Sequence, residues 1–262
     1  MGVRLSFARG NALHYDGEET TKITMEMKGW TKEMERNGKL VKPEAMIFDM
    51  DGTLFQTETL LLPAYHKLFD ILREEGHHSG ETPDEQLMLG SLGMLLEDIW
   101  KRVLPEGTPE AHKRADELLL QLELEGLQGP DAVLYPGVVE TLGELKRRGV
   151  RLFVASNGLE HYVKGICDAR GMSSLFEGLY SAGEHGTASK VDLVALLLKN
   201  HGIEKAWMVG DRSSDVEAGK KNGQTVIGCQ YAGFGKDQEL KGSDAIITSF
   251  PQLLELHANS IG

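Results

Sequence analysis

Only two cysteines, Cys167 and Cys229, occur in 262 residues, too few for the disulfide framework that staples small secreted domains. Both read as small buried hydrophobes rather than reactive thiols. Positive charge is also scarce, with 28 lysines and arginines against 40 aspartates and glutamates and a formal charge of −12. That imbalance argues against a nucleic-acid surface or an anionic membrane as partner. No apolar run reaches membrane-spanning length and no signal-peptide pattern is visible, so a cytoplasmic location is the default expectation. Nothing in the sequence marks an oligomeric state. What is present is a 40% hydrophobic chain, long enough to bury a full core and to carry one α/β domain plus a smaller insert.

The most informative segment is Ile47-Phe48-Asp49-Met50-Asp51-Gly52-Thr53. It is a buried-strand pattern running straight into two acids and a turn, the place where open α/β sheets keep their chemistry. Side chains two apart in an extended segment leave on one face, so Asp49 and Asp51 are expected to share one crevice. Paired carboxylates invite a division of labour. One stays ionised as nucleophile or metal ligand while the other, its pKa raised by that neighbour, carries a proton. The competing reading is plain turn chemistry, which also favours Asp and Gly.

Three later segments bear on that choice. Residues 150–158 form an apolar strand ending in Ser156-Asn157-Gly158, followed at once by a helical pattern that suits an anion at its N-terminus, although most such tripeptides are caps or turns. Lys190 follows a Gly183–Ser189 loop and begins a helix with Val191, Val194, Leu197 and Leu198 on one face, a position unfavourable to the helix dipole and therefore suggestive of a role, although a lone lysine is more often a solvated surface group. Residues 206–215 run from an apolar strand into Gly210-Asp211 and on to Asp215. With a helix starting near Ser213, these two acids come close enough to share a hard cation, although a capped helix with an acidic first turn explains them too.

Taken in order, the four segments resemble the signature of the haloacid dehalogenase-like superfamily, over about four fifths of the chain from Glu44 to Leu256. The similarity is to the phosphoglycolate phosphatase-like branch, and Tyr135-Pro136-Gly137-Val138, the Tyr231–Gly235 stretch, Glu239-Leu240 and Ala245–Ile247 add to it. The resemblance implies a Rossmann-like three-layer α/β/α core with a mainly parallel sheet and an inserted all-helical cap. Ser-Asn-Gly is shared with many dehalogenases and does not choose the reaction. Asp51 does, because a halide leaving group needs no proton and an alkoxide does.

The same resemblance implies the roles of individual residues. Asp49 is the nucleophile and Asp51 the general acid and base. Asp49, Asp51 through its backbone carbonyl, Asp211 and Asp215 hold Mg²⁺. Ser156 and Lys190, with the backbone around Gly52 and Thr53 and the Asn157-Gly158 turn, hold the phosphoryl oxygens. The expected activity is Mg²⁺-dependent hydrolysis of a small-metabolite phosphate monoester through an aspartyl-phosphate. A sugar-phosphate mutase would use the same acids, and a non-catalytic binding module is the third class.

The domain plan places a helical cap at residues 60–134 between core segments 44–59 and 135–262. Three stripes support it: Leu61, Leu62, Tyr65, Leu68, Phe69 and Leu72; Leu92, Leu95, Leu96, Ile99, Trp100 and Val103; Ala115, Leu118, Leu119 and Leu122. Their spacing reads as a small bundle of about four helices. Hinges are expected near Leu54–Thr59 and Tyr135–Gly137, and substrate contacts at Met88–Gly93, including Ser91, where two glycines interrupt the helical pattern. An ordinary interhelix turn explains that stretch equally well. His66 and Arg73 are expected at the surface. Residues 1–43 stand outside the resemblance, as an extension of unknown structure without a sustained apolar period.

Overall fold

The computed structural model describes residues 39–262 except 93, 95, 128, 130–131 and 233–237. Expectations for residues 1–38, Gly93, Leu95 and the Gly233–Gly235 part of the late motif lie outside the described residues. Six strands are found among those that are described: β1 (Ala45–Phe48), β2 (Arg151–Ser156), β3 (Gly178–Ser181), β4 (Ala206–Gly210), β5 (Thr225–Cys229) and β6 (Ala245–Ile247). They make one sheet in the order β3-β2-β1-β4-β5-β6, and every neighbouring pair is parallel. This is the three-layer α/β core expected.

Strand geometry makes the layers. Alternate residues leave opposite faces, so Met46, Phe48, Leu152, Val154, Trp207 and Val209 join one core cluster. Ala45, Ile47, Phe153, Ala155 and Met208 join another. The first cluster is completed by helices α5 (Val138–Arg147), α6 (Glu160–Ala169) and α10 (Gln252–Asn259), through Leu142, Ile166 and Leu253. The second is completed by α8 (Lys190–His201) and α9 (Ser213–Lys221), through Leu193, Val194, Leu197 and Ala218. Val191, expected on the buried stripe of α8, is only half-buried, and Leu193 takes the buried place. A sheet covered on both faces explains why its strands read as continuous apolar runs rather than alternating ones.

Between β1 and α5 the described residues form four helices, α1 (Thr57–Glu74), α2 (Glu85–Leu89), α3 (Leu96–Val103) and α4 (Pro109–Gly126). Two of the starts have a clear local cause. The Asp84 side chain accepts from the Gln86 amide at 2.8 Å, and Thr108 caps α4 by accepting from the Ala111 amide at 3.2 Å, with Pro109 at the first helical position where its missing N–H costs nothing. The expected stripes meet in one cluster in which Tyr65, Phe69, Leu72, Trp100 and Ala115 are fully buried. The two connections to the core run side by side: the Gln56 amide donates to Val133 O at 2.9 Å and the Tyr135 amide to Leu54 O at 3.0 Å. A short helix, α7 (Ala182–His185), occupies part of the stretch expected to be loop. Ser181 caps it by accepting from the Glu184 amide at 3.0 Å, and four residues are too few to show periodicity.

Candidate active site

In-register parallel strands bring their C-terminal ends to one edge. Phe48 pairs with Val154 and with Val209, so Asp49, Ser156 and Asp211 all fall within two residues of the same line across the sheet. Asp49 sits just past β1, its amide held by Val209 O at 2.9 Å and its side chain almost fully buried. Lys190 reaches it because Ser189 caps α8, accepting from the Asp192 amide at 3.2 Å and fixing where the helix begins. The buried ammonium lies 2.8 Å from Asp49 Oδ1 and 2.7 Å from Asp215 Oδ1.

One lysine faces three buried acids. Asp49, Asp211 and Asp215 each offer a carboxylate oxygen, all within 4.8 Å of one another. Burial, then the Asp49 charge, pushes Asp215 up to about 6 despite Lys190. Burial and its two acidic neighbours hold Asp211 well above the usual carboxylate range, and burial also raises Asp49. Burial works against the Lys190 charge, but Asp215 and Asp49 outweigh it and hold the ammonium above the ordinary lysine range. Asp211 Oδ1 accepts from Thr53 Oγ1 at 3.3 Å while buried Oδ2 has no hydrogen-bond partner among the described residues. Excess buried negative charge with an orphaned oxygen is an arrangement that a divalent cation relieves, and carboxylate oxygens are hard ligands of the right kind.

Two glycines keep this cluster tight. Gly52 has φ +74°, and a Cβ there would lie 2.4 Å from Asp211 Oδ2. A Cβ on Gly210 would lie 2.2 Å from the Asp215 carboxyl carbon. The turn reading and the site reading of Asp-Met-Asp-Gly are therefore one feature, since the turn is what lets the backbone approach the second acid pair.

Asp51 is half-buried, and its Oδ1 accepts hydrogen bonds from Thr57 Oγ1 and Tyr162 OH, each at 2.7 Å. Burial raises its carboxyl while those two donors and the Lys190 charge pull against it. Asp49 and Asp51 line one cavity of about 80 Å³ together with Ser156, Asn157 and Gly158. Ser156 Oγ accepts from the Gly158 amide at 3.1 Å. The far wall comes from the helices between β1 and β2, including Met88, Leu119 and Glu123.

The structure does not bring Ser91 to this cavity. Its side chain is fully buried and its hydroxyl donates to Leu87 O at 2.6 Å, the backward bond to the carbonyl four residues earlier that serines make at helix ends. Gly90 ends α2 there, and Met88 and Leu92 of the same turn line the cavity instead. His66 is exposed as expected and pairs with Glu85 at 2.6 Å, whereas Arg73 is half-buried and donates to Asp70 and Thr82, neither of which lines the cavity. Thr57, Tyr162, Glu123 and Arg212 are site residues that the sequence reading missed. Thr57 opens the helix just after the acid pair, which was a usable signal, whereas Tyr162 and Glu123 reach the site only through tertiary packing.

An acid pair, a buried lysine and a second acid pair thus stand together at the C-terminal edge of a parallel α/β sheet roofed by helices, the place where enzymes of this α/β class bind their ligands. The chain belongs to the haloacid dehalogenase-like hydrolase family, whose model matches residues 43–223. It is 30% identical over 183 residues to a phosphoglycolate phosphatase of Aquifex aeolicus, covering 68% of this chain and 80% of that protein. A second phosphoglycolate phosphatase, from Caulobacter vibrioides, is 28% identical over 210 residues, covering 78% and 86%. Among solved structures, a predicted phosphoglycolate phosphatase from Haemophilus somnus matches with TM-score 0.70 at 22% identity, covering 81% of this chain and 97% of that one. CbbY from Rhodobacter sphaeroides in complex with phosphate matches with TM-score 0.67 at 23% identity, covering 80% and 96%. The chain is thus a phosphoric monoester hydrolase by family. No described helix is long and apolar enough to cross a membrane.

Proposed function

We propose that this protein is a Mg²⁺-dependent phosphatase that hydrolyses a small-metabolite phosphate monoester through an aspartyl-phosphate on Asp49. The observation that carries the reading is the joint placement of Asp49 and Asp51 on one cavity, with Lys190 2.8 Å from Asp49 and a second acid pair behind it.

Mg²⁺ would be held by the Asp49 and Asp211 carboxylates and the Asp51 backbone carbonyl, with Asp215 directly or through water. When bound it supplies positive charge against the phosphoryl oxygens and offsets the repulsion among the acids. Lys190 screens Asp49 so that a carboxylate can approach an anionic phosphoryl group. An Asp49 oxygen attacks phosphorus in line, and Asp51 gives its proton to the departing alkoxide. The raised carboxyl of Asp51 suits an acid that must hold a proton near neutrality. Asp51 then takes a proton from the water that cleaves the acyl phosphate, while Ser156 and the backbone around Gly52, Thr53 and the Asn157-Gly158 turn hold the equatorial oxygens.

In this reading residues 60–134 act as a cap that closes over the phosphoryl site from the paired connections at Gln56–Val133 and Leu54–Tyr135. The buried, unpaired cysteines fit a reducing cytoplasmic setting.

The test is inorganic phosphate release from a panel of small phosphate esters, with and without Mg²⁺, for the wild type and Asp49→Asn. Mg²⁺-dependent release that vanishes in the variant is expected. Substantial turnover by Asp49→Asn would sink the covalent route, and phosphoryl transfer to a sugar hydroxyl without phosphate release would make the enzyme a mutase.

A further inference from the structure

The cavity that would receive the phosphoryl group has a far end without positive charge among the described residues. Apolar side chains dominate it, among them Leu61, Met88, Ile99 and Leu119, and no lysine or arginine lines it among the described residues. Its charged far-wall groups are both acids on one face of α4, Asp116 and Glu123.

The two acids differ in one respect. Asp116 is engaged, accepting from the indole N–H of Trp100. Glu123 is only 8% exposed, lines the cavity, and makes no hydrogen bond or ion pair through its side chain with another described residue. A carboxyl group in that position lacks the partner that buried polar groups ordinarily have. The empty space it faces is where the alcohol part of an ester attached to Asp49 must lie.

A leaving group with its own carboxylate would be desolvated beside two acids with no lysine or arginine lining the cavity to compensate it. A leaving group with a hydroxyl or ammonium would give Glu123 its missing partner. Resting on the phosphatase reading above, we infer that the substrate's alcohol part is small and carries no negative charge, presenting a hydroxyl or ammonium donor to Glu123 and carbon to the leucine and methionine wall. Burial and the neighbouring Asp51 charge raise the Glu123 carboxyl, and a donor bound against it draws it back towards the ionised form.

Four phosphate esters of nearly equal size separate the possibilities: O-phosphoethanolamine, 2-hydroxyethyl phosphate, ethyl phosphate and 2-phosphoglycolate. With Mg²⁺, kcat/KM is expected to be highest for one of the two donor-bearing esters and lowest for phosphoglycolate, by at least about 100-fold, because a site built around a substrate donor strongly rejects analogues that lack it. Glu123→Gln should narrow the gap chiefly through KM, weakening the donor-bearing esters and relieving phosphoglycolate. Phosphoglycolate as the best of the four, or equal rates for ethyl and donor-bearing esters, overturns the inference even if the variant fails to fold. Acetyl phosphate separates this failure from that of the reading beneath it. If it phosphorylates Asp49 while none of the four esters turns over, the inference falls and the covalent reading stands; if Asp49 stays unmodified, both fall.

Discussion

The guanidinium of Arg212, one residue past Asp211, donates a 3.0 Å hydrogen bond to the carbonyl oxygen of Leu89, the last residue of α2, 123 positions earlier in the chain. Arg212 is itself buried, and it stands 3.8 Å from Glu239. The same backbone that carries the acid pair Asp211 and Asp215 therefore grips the helices roofing the cavity, and the Arg212 amide completes the link by donating to Asp215 Oδ2 at 3.0 Å.

Removing that grip should loosen the roof, and it also takes a cation from beside Asp211, whose Oδ2 lies 3.9 Å from Arg212 Nε. For Arg212→Met, which keeps much of the stem's bulk, kcat/KM should fall about 10- to 100-fold, the range expected for one buried hydrogen bond from a charged group. Hydrogen exchange at the α2 amides should speed up at the same time. Slower turnover with unchanged α2 protection would mean that Arg212 acts on the acids and not on the roof.

Tyr162 and Thr57 offer a test of Asp51. Both donate to the same oxygen, Oδ1, and both hydrogen bonds favour the ionised carboxylate, opposing the burial that raises it. Tyr162→Phe deletes one donor with little change of shape, so the Asp51 carboxyl should rise further. The pH profile of kcat should keep its form and move to higher pH by roughly half to one unit, since a hydrogen bond of about 1 kcal/mol corresponds to a little under one pKa unit. A profile that loses height but does not move along the pH axis would leave Asp51 without the proton-transfer role.

Much of this site could be read in the chain because its pieces are local. An acid pair after β1, Ser-Asn-Gly after β2, Lys190 at a helix start and Gly-Asp after β4 each sit beside the strand or cap that positions them, and short-range pattern reveals such neighbours. Asp51's two donors show the limit. Thr57 is six residues away and opens a helix, but Tyr162 is 111 residues away and meets Asp51 only once α6 packs onto the sheet. Ser91 shows another limit, because interrupted periodicity located the turn between α2 and α3 correctly yet held no information on which way its hydroxyl points. Glu123 fell on a helix read for its apolar stripe alone, and helical spacing does not tell a cavity-lining acid from a solvated one.

The clustered acids give a last prediction, for the cation and pH together. Asp215 is raised from an ordinary 3.8 to about 6 in the folded protein. A raised carboxyl favours the fold while protonated, so its contribution is fully present below about 4, the unfolded value, and is lost as pH rises through about 6. Lys190, also raised, loses its contribution only in the far alkaline range and leaves this window alone. Protein freed of divalent cations should therefore lose stability between about pH 4 and 6 from this group. Mg²⁺ reverses the logic, because its ligands must be ionised to bind, so its stabilising effect should be small at about pH 5 and large at about pH 8. At about a hundred times Kd the gain is about 2.7 kcal/mol, or roughly 5 to 10 °C in Tm for a chain of this size. Thermal melts at the two pH values, with Mg²⁺ or EDTA, measure it directly. Asp211→Asn, which removes a carboxylate charge from the cluster, should melt higher than wild type in EDTA and gain less from Mg²⁺. Equal Mg²⁺ shifts at the two pH values, or an undiminished shift in Asp211→Asn, would place the cation somewhere other than between Asp49, Asp211 and Asp215.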